Sequence, residues 1–238
     1  MSRSDLPLTE KRAALERRIR AREFVFGIQD GLISTVGLLS GVSVATQSRV
    51  TVVITGIAAA VTGGLSMATG SYLASRTEKE LFEKELLDQE RLAADEPYLA
   101  QEALLHSLVA EGLERPDAYR VVKIFSRHQD LLLRTVQEKV LGLGTADISK
   151  PVQAGCVMFV SFTIGAAIPL GPFLLGVGPA ALVSSWTLSV LALLGVGLFK
   201  GRLTGKPMLR SGLEFAAVAV GSAVVGWLLG KLFDRFVV

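Results

Sequence analysis

No aspartate, glutamate, lysine or arginine occurs between residues 50 and 75 or between residues 151 and 199, and residues 211–230 contain only Glu214. A helix needs about 20 consecutive apolar residues to cross the hydrocarbon core of a bilayer. In hydrocarbon every backbone N–H and C=O must be satisfied internally, so such runs cross as helices. Half of the 238 residues are hydrophobic while 20% are charged, and the two sets are segregated along the chain. The charge-free runs give spans at 24–46, 50–74, 152–174, 178–199 and 211–232. The long third run has to fold back. Its helix is expected to break between Pro169-Leu-Gly-Pro172 and Gly176-Val-Gly-Pro179, where proline removes backbone donors.

The first span carries an acid six residues inside its start, and of the other four only the fifth, with Glu214 in its first turn, carries another. In Phe24-Val-Phe-Gly-Ile-Gln-Asp30-Gly a carboxylate stands near the start of a helix that has no other charge up to Thr46. An ionisable group at membrane depth costs about 2.5–3.5 kcal/mol on insertion scales, and it marks an ion pathway or an intramembrane pair. Gly27, Asp30, Ser34, Gly37 and Gly41 recur at three- and four-residue steps, as do Gly56, Gly63, Met67 and Gly70 in the second span. Small-residue stripes of this kind let membrane helices approach closely. Packing accounts for the glycines and leaves Asp30 unexplained.

Charge outside the spans sets the expected topology. Residues 1–22 hold seven Lys/Arg against three acids, and residues 200–210 hold four Lys/Arg and no acid. The excess of Lys/Arg on cytoplasmic loops places the N-terminus, the 75–150 segment and the 200–210 loop inside, and the C-terminus outside the cytoplasm. In a prokaryote that membrane is the plasma or inner membrane. The N-terminal 23 residues have no apolar core of the kind a signal peptide shows. The pI near 9.1 reflects these topology-setting residues and carries no implication of nucleic-acid binding. Cys156 lies alone inside a span, where it is expected to act as a small buried apolar residue.

The segment between the second and third spans contains 15 acidic and 11 basic residues. It reads as three helices: Thr77 to Leu92, then Tyr98 to Ala110 after the break at Pro97, then Pro116 to Leu141. The expected fold is therefore an all-α membrane protein of five transmembrane helices, with a cytoplasmic three-helix bundle inserted between helices 2 and 3. The divisions fall at a basic segment 1–23, spans 1 and 2 in 24–75, the helical domain 76–150, and spans 3–5 in 151–238.

With these features in place, the chain resembles the vacuolar iron transporter family. The likeness is carried by Arg22-Glu-Phe-Val-Phe-Gly27, Asp30-Gly-Leu, Gly63-Gly-Leu-Ser-Met67-Ala-Thr-Gly70, Phe162-Thr-Ile-Gly-Ala-Ala-Ile-Pro169, and the connection from Gly195 through Arg210 to Ser211-Gly-Leu-Glu214. The resemblance implies a homodimer that moves ferrous iron or manganese out of the cytoplasm in exchange for protons. The path would run between the first two spans of the two subunits. By the same carry-over Asp30 is the intramembrane carboxylate and Met67 a soft ligand, a pairing that suits a borderline divalent ion better than magnesium. The metal is cargo, and no resident cofactor is expected.

The chain also departs from the family pattern. Ala59 stands where a glutamate precedes the methionine by eight positions, and Ser71 stands where Gly-Glu-Tyr is common. In the helical domain Glu138 matches a family ligand, but Arg134 takes the place of a methionine. Gln89, Leu92 and Ala103 replace acids. Glu102 and His106 remain, four residues apart on one helix face, where a carboxylate and an imidazole can share a divalent ion. Glu78 and Glu85, with Gln89 or Glu90, can add oxygens. The alternative is a solvated charged face with pairs such as Glu80–Lys84.

Glu23, seven residues before Asp30 on the same face, fits either a cytoplasmic entry ligand or a partner of Arg20 or Arg22. His128 reads as a surface histidine, and Glu214 as reaching headgroups or a basic neighbour. No nucleotide-binding Gly-x-x-x-x-Gly-Lys-Ser/Thr motif and no nucleophile–base constellation is present, so neither ATP-driven pumping nor enzymatic activity is expected. Two further readings keep the fold: a membrane-anchored metal-binding or regulatory protein that no longer transports, and a scaffold for a protein partner.

Overall fold

In the computed structural model the described residues are 8–46, 48–139 and 150–237. They form eight helices: α1 (Leu8–Ala45), α2 (Arg49–Asp95), α3 (Pro97–Ala110), α4 (Arg115–Phe125), α5 (Gln129–Lys139), α6 (Pro151–Leu175), α7 (Pro179–Thr204) and α8 (Met208–Val237). Five of them contain a stretch long and apolar enough to cross a membrane: Arg20–Ala45, Arg49–Asp88, Pro151–Leu175, Pro179–Thr204 and Met208–Asp234. By contact the chain divides into two compact units, Met1–Leu73 with Pro151–Val238, and Ala74–Lys150.

In the first unit α1 is the central helix. It packs on α6, α7 and α8, while α7 also packs on α6 and α8. Half of the α1 span is buried, against 22% of the α7 span. Val25, Ile28 and Leu32 of α1 join Leu193, Phe215 and Ala219 in one apolar cluster. Further along, Leu39 joins Val52, Leu170, Phe173 and Ala181.

Small residues bring the backbones together. A Cβ added at Gly31 would collide with the Phe162 carbonyl of α6, and one at Gly226 of α8 with the Gly37 carbonyl. Hydrogen bonds between helices reinforce this packing. Ser222 Oγ donates to the Ile33 carbonyl at 2.8 Å, and Trp186 Nε1 donates to Ser40 Oγ at 2.7 Å. Bonds of this sort average about 0.6 kcal/mol in a membrane protein, so they set register more than stability.

Pro169 and Pro172 lie inside α6, and the break expected between spans 152–174 and 178–199 falls at Gly176–Gly178. Membrane helices tolerate proline where neighbours satisfy the freed groups. The missing N–H groups of Pro169 and Pro172 leave the Gly165 and Ile168 carbonyls without their helical donors, and one turn on Ser185 Oγ of α7 ties α6 to α7 by donating to the Pro169 carbonyl at 2.8 Å. The chain reverses at Gly178, whose φ of 96° is open to glycine without strain, and Pro179 then opens α7. Arg49 donates to the Leu174 carbonyl, capping an end of α6 that has no helical donor left.

In the second unit α3, α4 and α5 pack on one another around Ala100, Leu104, Leu108, Ala118, Val122, Leu132 and Val136. Two boundaries differ from those expected. The helix expected over 77–92 is the continuation of the second span: α2 runs unbroken to Asp95, because nothing from Arg49 onward interrupts it before Pro97. The helix expected over 116–141 is two, since the chain turns at Ser126–His128. That turn lets Leu132 and Val136 fold back into the core, a gain that outweighs the few backbone bonds lost.

The close approach of α1 and α8 yields a direct prediction. Gly226→Val should destabilise the protein by about 1–3 kcal/mol, the usual cost of overpacking. Gly221→Val, at a site where a Cβ meets nothing within 4 Å, should leave the thermal midpoint in detergent unchanged. Equal midpoints for the two variants would show that α1 and α8 are not in backbone contact.

Candidate functional site

Asp30 sits ten residues into the Arg20–Ala45 span, about 15 Å along the axis at 1.5 Å per residue. The charge-free part of the span starts only at Phe24, six residues before Asp30, which puts the carboxylate about 9 Å into a hydrocarbon core about 30 Å thick. Its side chain is half-buried, at the margin between the covered and uncovered sides of α1. Among the described residues no Lys, Arg or His pairs with it. Ser34, one turn on, is exposed and donates its hydroxyl to the Asp30 carbonyl at 2.6 Å. This bond turns the Ser34 oxygen back onto the helix backbone.

The small-residue stripe expected to hold Asp30 is shared between two neighbours. Gly27 meets Ser161 of α6, whereas Gly37 and Gly41 meet Ser222 and Gly226 of α8. The glycines serve packing, and Asp30 and Ser34 occupy the edge that the packing leaves open. On α2, Gly63 faces Phe162 and Gly56 faces Leu170, while a Cβ at Gly70 would meet nothing. Met67 is half-buried against the cluster of Ala60, Phe162 and Ala166. Its thioether thus belongs to an apolar wall in the same unit as Asp30. Glu23 is half-buried on α1, nearer the end of the span.

Ile54, Ile57, Val61, Leu65 and Leu73 form an exposed apolar row along α2, with Ala58, Thr62, Ser66 and Thr69 beside them. Phe26 and Leu38 are the exposed apolar residues flanking Asp30 on α1. Cys156, expected inside, is exposed. It shares the outward side of α6 with Val152, Val160 and Ile164, so its thiol faces what surrounds the helix.

In the second unit Glu102 and His106 do meet, with Oε1 and Nε2 3.8 Å apart. Their side chains are 60% and 74% exposed, a solvated i,i+4 pair worth a few tenths of a kcal/mol. Glu78 and Glu85 are exposed on α2, and the side chain of Glu138 lies outside the described residues. No three His, Cys, Asp or Glu side chains come together as a metal site among the described residues. The candidate ligands are therefore brought together only as the Glu102–His106 pair. Glu80, expected to pair with Lys84, instead pairs with Arg76 at 2.7 Å. Glu214 pairs with Arg210 at 3.3 Å, and His128 is exposed. Ser34 was not singled out for chemistry by its spacing. The signal was its i+4 position after the acid, from which a hydroxyl reaches the acid's carbonyl.

The five apolar spans define a multi-pass integral membrane protein, and Asp30 sets a carboxylate inside the first of them. Residues 21–231 match the VIT family, and the chain belongs to that family. It is 27% identical over 215 residues to vacuolar iron transporter 1 of Arabidopsis thaliana, covering 90% of this chain and 86% of that one. Vacuolar iron transporter 1 of Eucalyptus grandis is 28% identical over 204 residues, covering 85% and 82%. The vacuolar iron transporter of Plasmodium falciparum (isolate 3D7) is 24% identical over 226 residues, covering 90% and 82%.

The setting of Met67 separates packing from ligation. Met67→Leu conserves volume and should cost under about 1.5 kcal/mol in thermal unfolding, whereas Met67→Ala opens a cavity and should cost more. A loss of stability in Met67→Leu as large as in Met67→Ala would mean that the sulfur itself, and not its bulk, holds the wall together.

Proposed function

We propose that this chain is a secondary transporter that moves ferrous iron or manganese out of the cytoplasm by exchange with protons, acting as a homodimer. The observation that carries the reading is Asp30: a carboxylate inside the first membrane span, half-buried, with no basic partner among the described residues. A structural ion pair would hold a cation beside it. A carboxylate kept at that depth without one is suited to neutralise a passing divalent ion and to take up a proton when the ion leaves. The similarity to proteins named vacuolar iron transporters supports metal transport.

The dimer is supported by the uncovered sides of α1 and α2, which lie in the same unit and carry Asp30, Ser34, Thr62 and Ser66. In this reading the two subunits bring their Asp30 carboxylates to one path, with Met67 lending a soft donor that discriminates among metals. Glu23 lies toward the end where the ion enters. The domain of residues 76–150 is cytoplasmic and gathers metal through Glu102 and His106, with Glu78, Glu85 and Glu138 adding oxygens. The second reading, a metal-binding or regulatory protein of the same fold that no longer transports, is favoured by Ala59, Ser71 and Arg134 at positions where family ligands stand. The two readings part at Asp30.

Asp30→Asn keeps size and hydrogen bonding and removes both charge and titratable proton. In liposomes containing the purified protein, metal flux and the accompanying proton flux should fall to the level of empty liposomes, while expression and thermal midpoint persist. Normal flux through a well-folded Asp30→Asn protein would end the pathway role. Met67→Leu should reduce flux less and should shift preference among iron, manganese, cobalt and zinc.

Topology gives an independent check: a reporter fused after Val238 should be active only outside the cytoplasm. Cytoplasmic activity of that fusion would reverse the direction assigned to transport.

A further inference from the structure

At the membrane face where α1 enters and α7 turns into α8, two cavities adjoin and share Lys200. The larger, about 410 Å³, is lined by the apolar Val25, Phe26, Leu203 and Phe215 and by Arg22 and Gln29. The smaller, about 240 Å³, is lined by Lys206, Arg210 and Glu214 in addition to Lys200. The larger falls within the size range of small-molecule sites, about 300–1,000 Å³.

Charge is one-sided here. Four cations, Arg22, Lys200, Lys206 and Arg210, line the two cavities against one acid, Glu214. That acid is already engaged by Arg210 at 3.3 Å. Glu23 follows Arg22 in the chain but lines neither cavity. The Lys200 ammonium is held over the Phe215 ring, 4.7 Å from its centre. This cation–π contact fixes the charge at the boundary of the two cavities. Thr204 adds no donor, because its hydroxyl already donates to the Lys200 carbonyl at 3.0 Å.

All three helix ends belong to spans: Arg22 stands at the start of the first, Lys200 near the end of the fourth, and Arg210 at the start of the fifth. The cations therefore lie at headgroup level, Val25, Phe26 and Phe215 lie about one turn deeper, and Leu203, between Lys200 and the end of its helix, lines the mouth. We infer that this pair of cavities is a site for an anionic phospholipid, its phosphate held between Arg22, Lys200 and Lys206 and its acyl chain laid along Val25 and Phe26. Basic pockets between membrane helices select anionic headgroups, each Lys or Arg contributing at the scale of several-fold in affinity. The apolar lining is what favours a lipid over a free phosphate, which would leave Val25, Phe26 and Leu203 without a partner. Nothing in this inference depends on the metal path.

The test uses the full chain in nanodiscs of phosphatidylcholine doped with phosphatidylglycerol, with lipids retained after mild delipidation counted by native mass spectrometry. Wild type should retain phosphatidylglycerol about tenfold over phosphatidylcholine, a preference of about 1.4 kcal/mol. Lys200→Gln with Lys206→Gln should abolish that preference. Arg202→Gln, which removes an exposed cation lining neither cavity, should keep it. Because Lys200 also packs on Phe215, Lys206→Gln alone is the milder variant. It should lower the preference about threefold with an unchanged thermal midpoint.

Equal retention of the two lipids by wild type, an undiminished preference in Lys206→Gln, or an equal loss in Arg202→Gln would each overturn the site. Thermal protection by inorganic phosphate as large as that by phosphatidylglycerol would overturn the assignment to lipid.

Discussion

The fold of the membrane unit depends on backbone-to-backbone contact of α1 with α6 and α8. In hydrocarbon, burying an apolar side chain gains little, since lipid tails are as apolar as leucine. Cohesion has to come from close van der Waals packing and a few interhelical hydrogen bonds. Gly31 against Phe162 and Gly37 against Gly226 supply the first, and Ser222 and Trp186 supply the second. The same contacts place Asp30, because they cover α1 on two sides and leave a margin in which a carboxylate can stand half-buried.

The five spans were legible because the membrane imposes length and charge exclusion on any sequence that crosses it, and both are countable. The break between the third and fourth spans was placed as well: α6 runs through Pro169 and Pro172 to Leu175, and α7 starts at Pro179. One interruption was harder to place. The turn at Ser126–His128 has no proline or glycine to announce it. It exists because Leu132 and Val136 find a core by folding back. There tertiary contact overrode the local signal.

The candidate site was partly legible. Asp30 was visible as a charge in an apolar run, which is a property of composition. That Gly27 and Gly41 serve different neighbours was not, because a stripe at helical spacing does not say how many helices share it. The exposure of Cys156 was hidden for a related reason: in a membrane protein the outward side of a helix is as apolar as the inward side, so hydropathy cannot tell them apart. The Glu102–His106 spacing did predict proximity, and the pair is 3.8 Å apart. Spacing could not reveal that both side chains stand in solvent, where a two-donor site holds a cation weakly.

At Gly31 and Gly41 no layer of side chains lies between α1 and the backbones of α6 and α8 to absorb displacement. A helix seated on flexible side chains can slide by rotamer changes, whereas one seated on carbonyls and α-carbons cannot shift without separating. Together α1, α6 and α8 therefore behave mechanically as a stator, and the carboxylate at residue 30 is fixed to the part of the molecule least able to deform.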